Sequence, residues 1–78
     1  MAVQTVARGY VVVYRQPLPS GTTCSAVVSG PTAKRLQQRQ GGRIVNARGL
    51  KFRFAQQRQL RVLVDPALAA ALPTAEVR

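Results

Sequence analysis

Between positions 34 and 61 the chain carries nine cationic side chains and no acid: Lys34, Arg35, Arg39, Arg43, Arg48, Lys51, Arg53, Arg58 and Arg61. Arginine's planar fork matches phosphate oxygens better than the point charge of lysine does, and ten of the twelve basic residues in the chain are arginine. Gln37, Gln38, Gln40, Gln56, Gln57 and Gln59 lie in the same window and add neutral donors and acceptors for sugars, base edges or water. The chemistry these residues suit is binding to a polyanion, with nucleic-acid phosphates as the expected ligand. No recognised DNA- or RNA-binding motif accompanies them, and a GC-rich genome would also favour arginine codons.

Catalysis calls for side chains that are largely missing. The whole chain has two acids, Asp65 and Glu76, one cysteine and no histidine. Asp65 precedes Pro66 in a helix-start pattern and Glu76 lies close to the end of the chain, so a carboxylate pair for acid–base work is not expected. Cys24 has no histidine to activate it and reads as a small buried hydrophobe, reduced and unreactive. A single cysteine excludes an internal disulfide, and without histidine it cannot complete a zinc site. Gly41-Gly42 lacks the rest of a phosphate-loop pattern. The expectation is a protein that is not an enzyme and uses no cofactor and no metal.

With a formal net charge of +10, the chain repels itself and attracts acidic partners. Three partner classes follow. The first is nucleic acid, DNA or RNA. The second is a larger assembly in which the chain is a structural subunit, such as a minor virion component. The third is an acidic protein surface met by an inhibitor or adaptor. No stretch approaches the ~20 apolar residues of a membrane span, and no membrane partner is expected. Arg8 and Arg15 bracket an apolar run too short for a signal peptide. A cytoplasmic location, or carriage inside a particle, is expected rather than secretion.

The elements that must position this chemistry are legible in the hydrophobic pattern. Leu50, Phe52 and Phe54 alternate with Lys51 and Arg53, and Leu60, Val62 and Val64 repeat the alternation around Arg61. Period-two patterning predicts strands with one buried and one basic face. Asn46-Ala47-Arg48-Gly49 and Gln56-Gln57-Arg58 are the expected turns, with Arg48 at a tip. Arg43-Ile44-Val45 opens a strand, and Pro31–Gln40 reads as a helix stopped by Gly41-Gly42. That helix offers only Ala33 and Leu36 for burial. It is either a solvated connection or a phosphate-contacting surface. Asp65 as N-cap and Pro66 at the first position predict a second helix, PALAAAL, docked through Leu68 and Leu72.

Toward the N-terminus, Tyr10–Gln16 is dense in β-branched and aromatic residues and predicts a strand that is apolar on both faces. Tyr10 and Tyr14 are the better candidates for base stacking. Thr22–Ser29 predicts an antiparallel neighbour whose Cys24, Ala26 and Val28 face the core. The resulting expectation is one small α+β domain spanning 1–78, with 1–9 and 74–78 flexible. Its antiparallel sheet has four or five strands, with a short middle helix and a short C-terminal helix. The expected core is Val11, Val13, Val28, Leu36, Leu50, Phe52, Phe54, Leu60, Val62, Val64 and Leu68. Because a chain this short covers two faces of one strand poorly, a homo-oligomer or a place in a larger assembly is expected.

Overall fold

Val11 and Val12 are neighbours in β2 (Tyr10–Val13), and neither exposes any surface. Adjacent strand residues point to opposite faces, so both faces of β2 are covered. The computed structural model, which describes residues 4–54 and 62–77 without the side chains of Gln4, Phe52, Arg53, Phe54 and Val62, shows how one short chain does this. On one face Val12 and Ile44 pack with Ala33 of α1 (Gly30–Gln40), and Tyr10, Tyr14, Val28, Leu36 and Val77 close round them. On the other, Val11 and Val45 pack with Val6, Cys24, Ala47, Val64 and Ala69. The premise for association, that one face of this strand goes uncovered, is therefore not met.

The class is α+β, but the expected single sheet of four or five strands does not form. β2 pairs antiparallel with β3 (Arg43–Asn46) in a two-stranded sheet. β1 (Gln4–Thr5), β4 (Lys51–Phe54) and β5 (Val62–Val64) form a separate three-stranded sheet in the order β1-β4-β5. The two are halves of one bent ladder. Thr5 opposes Lys51 and Tyr10 opposes Asn46, with five steps between the pairs on each chain, so the register never slips. Backbone bonds cross the bend, Val6 N–H to Leu50 O at 2.8 Å and Ala47 N–H to Gly9 O at 3.0 Å. The bend is made at Gly9 and Gly49, whose φ values of 138° and 86° are open to glycine. Asn46 Oδ1 also accepts the Arg48 N–H at 2.9 Å. The expected turn at 46–49 forms around Arg48-Gly49, closed by Leu50 N–H to Ala47 O at 3.0 Å, and it separates β3 from β4, both of which pair with the N-terminal segment.

Thr22–Ser29 runs antiparallel to β2 as expected, yet it is held by isolated bridges, Tyr10↔Val28 and Val13↔Cys24. Three steps on β2 face four on this segment, which is a bulge of one residue. Ser25 occupies it. Its buried hydroxyl accepts the Val12 N–H at 2.9 Å and donates to Ala26 O at 2.8 Å, replacing the backbone acceptor lost to the bulge. The extra residue also breaks the parity. Cys24 packs on the Val11 face and Val28 on the Val12 face, so Cys24, Ala26 and Val28 do not share a side.

Two further expectations, on Leu68 and on the core margins, are corrected. In α2 (Pro66–Ala71), Leu68 is 50 % exposed and the fully buried residue is Ala69; Leu72, three residues on, reaches the core edge. The Asp65 cap sets this phase by accepting the Ala67 N–H at 2.9 Å. Residues 74–77 are paired: Thr74 bridges Val45, Ala75 N–H donates to Ile44 O at 2.8 Å, and Val77 packs beside α1. Val13, Val28, Leu36 and Leu50 are half-buried at the margins of the two clusters, whereas Val11 and Val64 are buried as expected. Leu60 and the turn at 56–58 lie outside the described residues, as do the side chains of Phe52, Phe54 and Val62.

Candidate nucleic-acid interface

α1 begins at Gly30, after Ser29 at the N-cap position, with Pro31 in its first turn, where a missing N–H leaves no bond unmade. The Ser29 hydroxyl does not cap the helix; it donates to Thr32 Oγ1 at 3.0 Å. Gly41, at φ 71°, ends the helix and returns its N–H to Gln37 O at 2.8 Å. The Gln37 side chain donates to Gly42 O at 3.2 Å and holds the turn into β3. Ala33 is buried and Leu36 half-buried against the sheet, which leaves Lys34, Arg35, Gln38 and Arg39 exposed. No acid lies in the helix.

Of the nine cations named from the sequence, the six whose side chains are described do not share one surface. Lys34, Arg35 and Arg39 stand on α1, over the Val12 face of the β2–β3 ladder. Lys51 is exposed on β4, and its sheet packs through Val6 and Val64 on the opposite, Val11 face. Arg48 is exposed at the bend between β3 and β4. Arg43, half-buried, donates through its guanidinium to the carbonyl oxygens of Ala70 and Leu72, satisfying the C-terminal end of α2. Arg53 opposes the exposed Leu63 in the β4–β5 register, and its side chain is not described. Arg58 and Arg61 lie outside the described residues.

Arg15 is the cation that sequence reasoning overlooked. It is exposed, and its Nε and Cζ would come within 3.8 and 3.9 Å of a Cβ added at Gly41. It therefore extends the α1 cluster past the helix C-terminus. Its place depends on β2 and α1 meeting across the Gly41-Gly42 turn, which no local signal in the sequence marks. Both Arg15 and Arg39 also suit the negative end of the helix dipole; Lys34 and Arg35 lie before the last turn.

Tyr10 and Tyr14 are half-buried against the α1 cluster rather than presented as stacking platforms. Burial pushes the Tyr14 phenol up, helped by the neighbouring Cys24 thiolate. Burial likewise pushes the Cys24 thiol up, with Asp65 adding to the effect, so the nucleophilic form is suppressed. Among the described residues no group of acidic, cysteine or histidine side chains is arranged to hold a metal. A shallow depression beside α1 is lined by Lys34, Gln37, Gln38, Ile44, Thr74, Ala75 and Val77. Among the described residues no helix is long and apolar enough to cross a membrane. No protein-family model matches the chain, and comparison with curated proteins and with solved structures yields no match.

Proposed function

We propose that this is a non-enzymatic basic protein that binds nucleic-acid phosphates through the exposed side of α1. The observation that carries the proposal is the composition of that side: Lys34, Arg35 and Arg39 are all exposed on a helix that contains no acid. Arg35 and Arg39 are four residues apart, where like charges repel and weaken a helix by roughly 0.2–0.5 kcal/mol. A purely structural connecting helix would gain by placing an acid there. Arg15 extends the surface, and Arg48 and Lys51 offer outlying contacts on other parts of the molecule. Arg43 is left out, because its charge is taken up by α2.

Three or four phosphate contacts on the α1 side, from Lys34, Arg39 and Arg15 with or without Arg35, would displace a comparable number of counterions, for a slope of log affinity against log salt of about −3 to −4 on duplex DNA. Fluorescence anisotropy with labelled oligonucleotides at several salt concentrations tests this. Replacing Lys34 and Arg39 together by Gln should make the slope shallower by nearly two units. No binding to any nucleic acid at low salt overturns the proposal. The second reading, a structural or assembly subunit, draws support from Leu63 and Leu68, which are 41 % and 50 % exposed on β5 and α2. Such a subunit would sit in a cytoplasmic complex or inside a particle. Association through those leucines would be insensitive to salt, which separates it from phosphate binding.

A further inference from the structure

Helical residues advance by about 100° each, so α1 can be read as a wheel. Ala33 and Leu36 face the sheet. The direction opposite them falls between Gln38 and Arg35, both exposed. Lys34 lies about 40° to one side of Gln38, and Arg39 about 40° to the other side of Arg35. The outward crest of the helix thus carries Gln38 and Arg35, with Pro31 in line at its N-terminal end, flanked by Lys34 and Arg39, and all five are exposed.

This order has a use that phosphate binding alone does not require. A helix with its side chains is about 10–12 Å across, and the major groove of B-form DNA is about 12 Å wide. In such a groove the crest residues meet base edges and the flanking residues meet the two phosphate walls. Arginine pairs through two bonds with guanine O6 and N7, and glutamine with adenine N6 and N7. Phosphate contacts hold the register; base contacts select sequence. The major groove of an A-form RNA duplex is too deep and narrow for side chains to read.

We propose that α1 is a groove-reading helix for duplex DNA, with Arg35 and Gln38 at the base edges and Lys34 and Arg39 on the phosphates. Arg15, beside Gly41 at the C-terminal end of the helix, adds a further phosphate contact. The inference rests on the phosphate-binding reading above and adds to it a ligand form and a division of labour.

The test uses the full chain and three probes: a randomised DNA duplex pool, an RNA duplex and single-stranded DNA. Selection on the pool, followed by anisotropy on the enriched site, reads sequence preference. The expected result is an enriched site containing guanine and adenine close together, bound at least tenfold more tightly than the RNA duplex of the same sequence. Arg35→Ala should remove the preference at guanine, a change of about 5- to 150-fold in discrimination, while Lys34→Gln should weaken all sequences alike. These positions are exposed, and a circular dichroism melt of each variant confirms that it folds. Equal binding to DNA and RNA duplexes, or an Arg35→Ala variant that weakens every sequence equally, overturns this inference and leaves phosphate binding standing. No binding to any of the three probes overturns both.

Discussion

Gly42→Ala should be the most damaging single-methyl change in the protein. Gly42 sits at φ 110°, and a Cβ built there falls 2.1 Å from Val13 O, 2.9 Å from Tyr14 Cα and 3.0 Å from Arg15 N. All three are backbone atoms of the neighbouring chain, so no side chain can swing aside. The backbone conformation alone costs about 1–3 kcal/mol for an L-residue. Relieving the clash must also part the end of the β2–β3 ladder at Val13↔Arg43, losing one or two hydrogen bonds at about 1 kcal/mol each. Alanine restricts the unfolded chain, which offsets about 0.4–1 kcal/mol. The net loss is about 2–4 kcal/mol, against a total of about 4–12 kcal/mol for a domain of this size.

Gly49→Ala is the control. Its φ of 86° is also positive, but an added Cβ meets nothing within 4 Å. The left-handed conformation costs about 1–2 kcal/mol, less the same unfolded-state offset, for a net near 1 kcal/mol. In thermal melts followed by circular dichroism, Gly42→Ala should lower Tm by roughly 10–25 °C and Gly49→Ala by roughly 5 °C. If the two melt within about 3 °C of each other, the close approach of the α1–β3 turn to β2 is not what the structure shows, and the placement of Arg15 beside α1 fails with it.

Other outcomes follow from the same structure. Arg43→Gln should lower stability by about 1.5–3 kcal/mol in urea titration, because the Ala70 and Leu72 carbonyls lose a charged donor, while leaving the salt slope of nucleic-acid binding unchanged. Asp65→Ala should cost about 1 kcal/mol and Ser29→Ala under about 0.5 kcal/mol by the same measurement, since only Asp65 caps its helix through the side chain. Val45→Ala, at a site with no exposure, should cost about 2–3 kcal/mol in a melt. Cys24 should resist thiol reagents until the protein unfolds. Its folded pKa is raised above the ordinary 9.0, so the folded state holds the thiol proton more tightly than the unfolded chain does. Stability is then fully present below about pH 9 and declines as pH rises from there toward the folded value. Tyr14, raised from 10.0, prolongs the decline. In Cys24→Ala the fall should begin about one pH unit later, read from urea midpoints across an alkaline series.

Local chemistry wrote several features into the sequence plainly. Asp65-Pro66 starts a helix because a carboxylate can take a free N–H and proline lacks one, and both act within one turn. Pro31 and Gly41 bound α1 for equally local reasons. The double apolar character of β2 announced a strand with two faces to cover, though not that the chain itself covers both, and Cys24 announced burial. The charge of +10 is likewise a property of composition alone.

What the sequence could not decide was pairing over distance. Alternation around Arg53 and Arg61 is the same whether the strands join one sheet or two. The choice fell to a bend at Gly9 and Gly49, visible only once residues 4–13 and 43–52 lie side by side. The bulge at Ser25 reversed a parity argument because one extra residue turns every later side chain to the other face. The described cations of the 34–61 window were parted because a two-stranded ladder has two faces, with α1 on one and β4's sheet on the other. Arg43 went to the end of α2, and Arg15 came to α1 from 26 positions away. Charge is set by composition, whereas the address of each charge is set by which backbone segments pack together, and that was decided only in three dimensions.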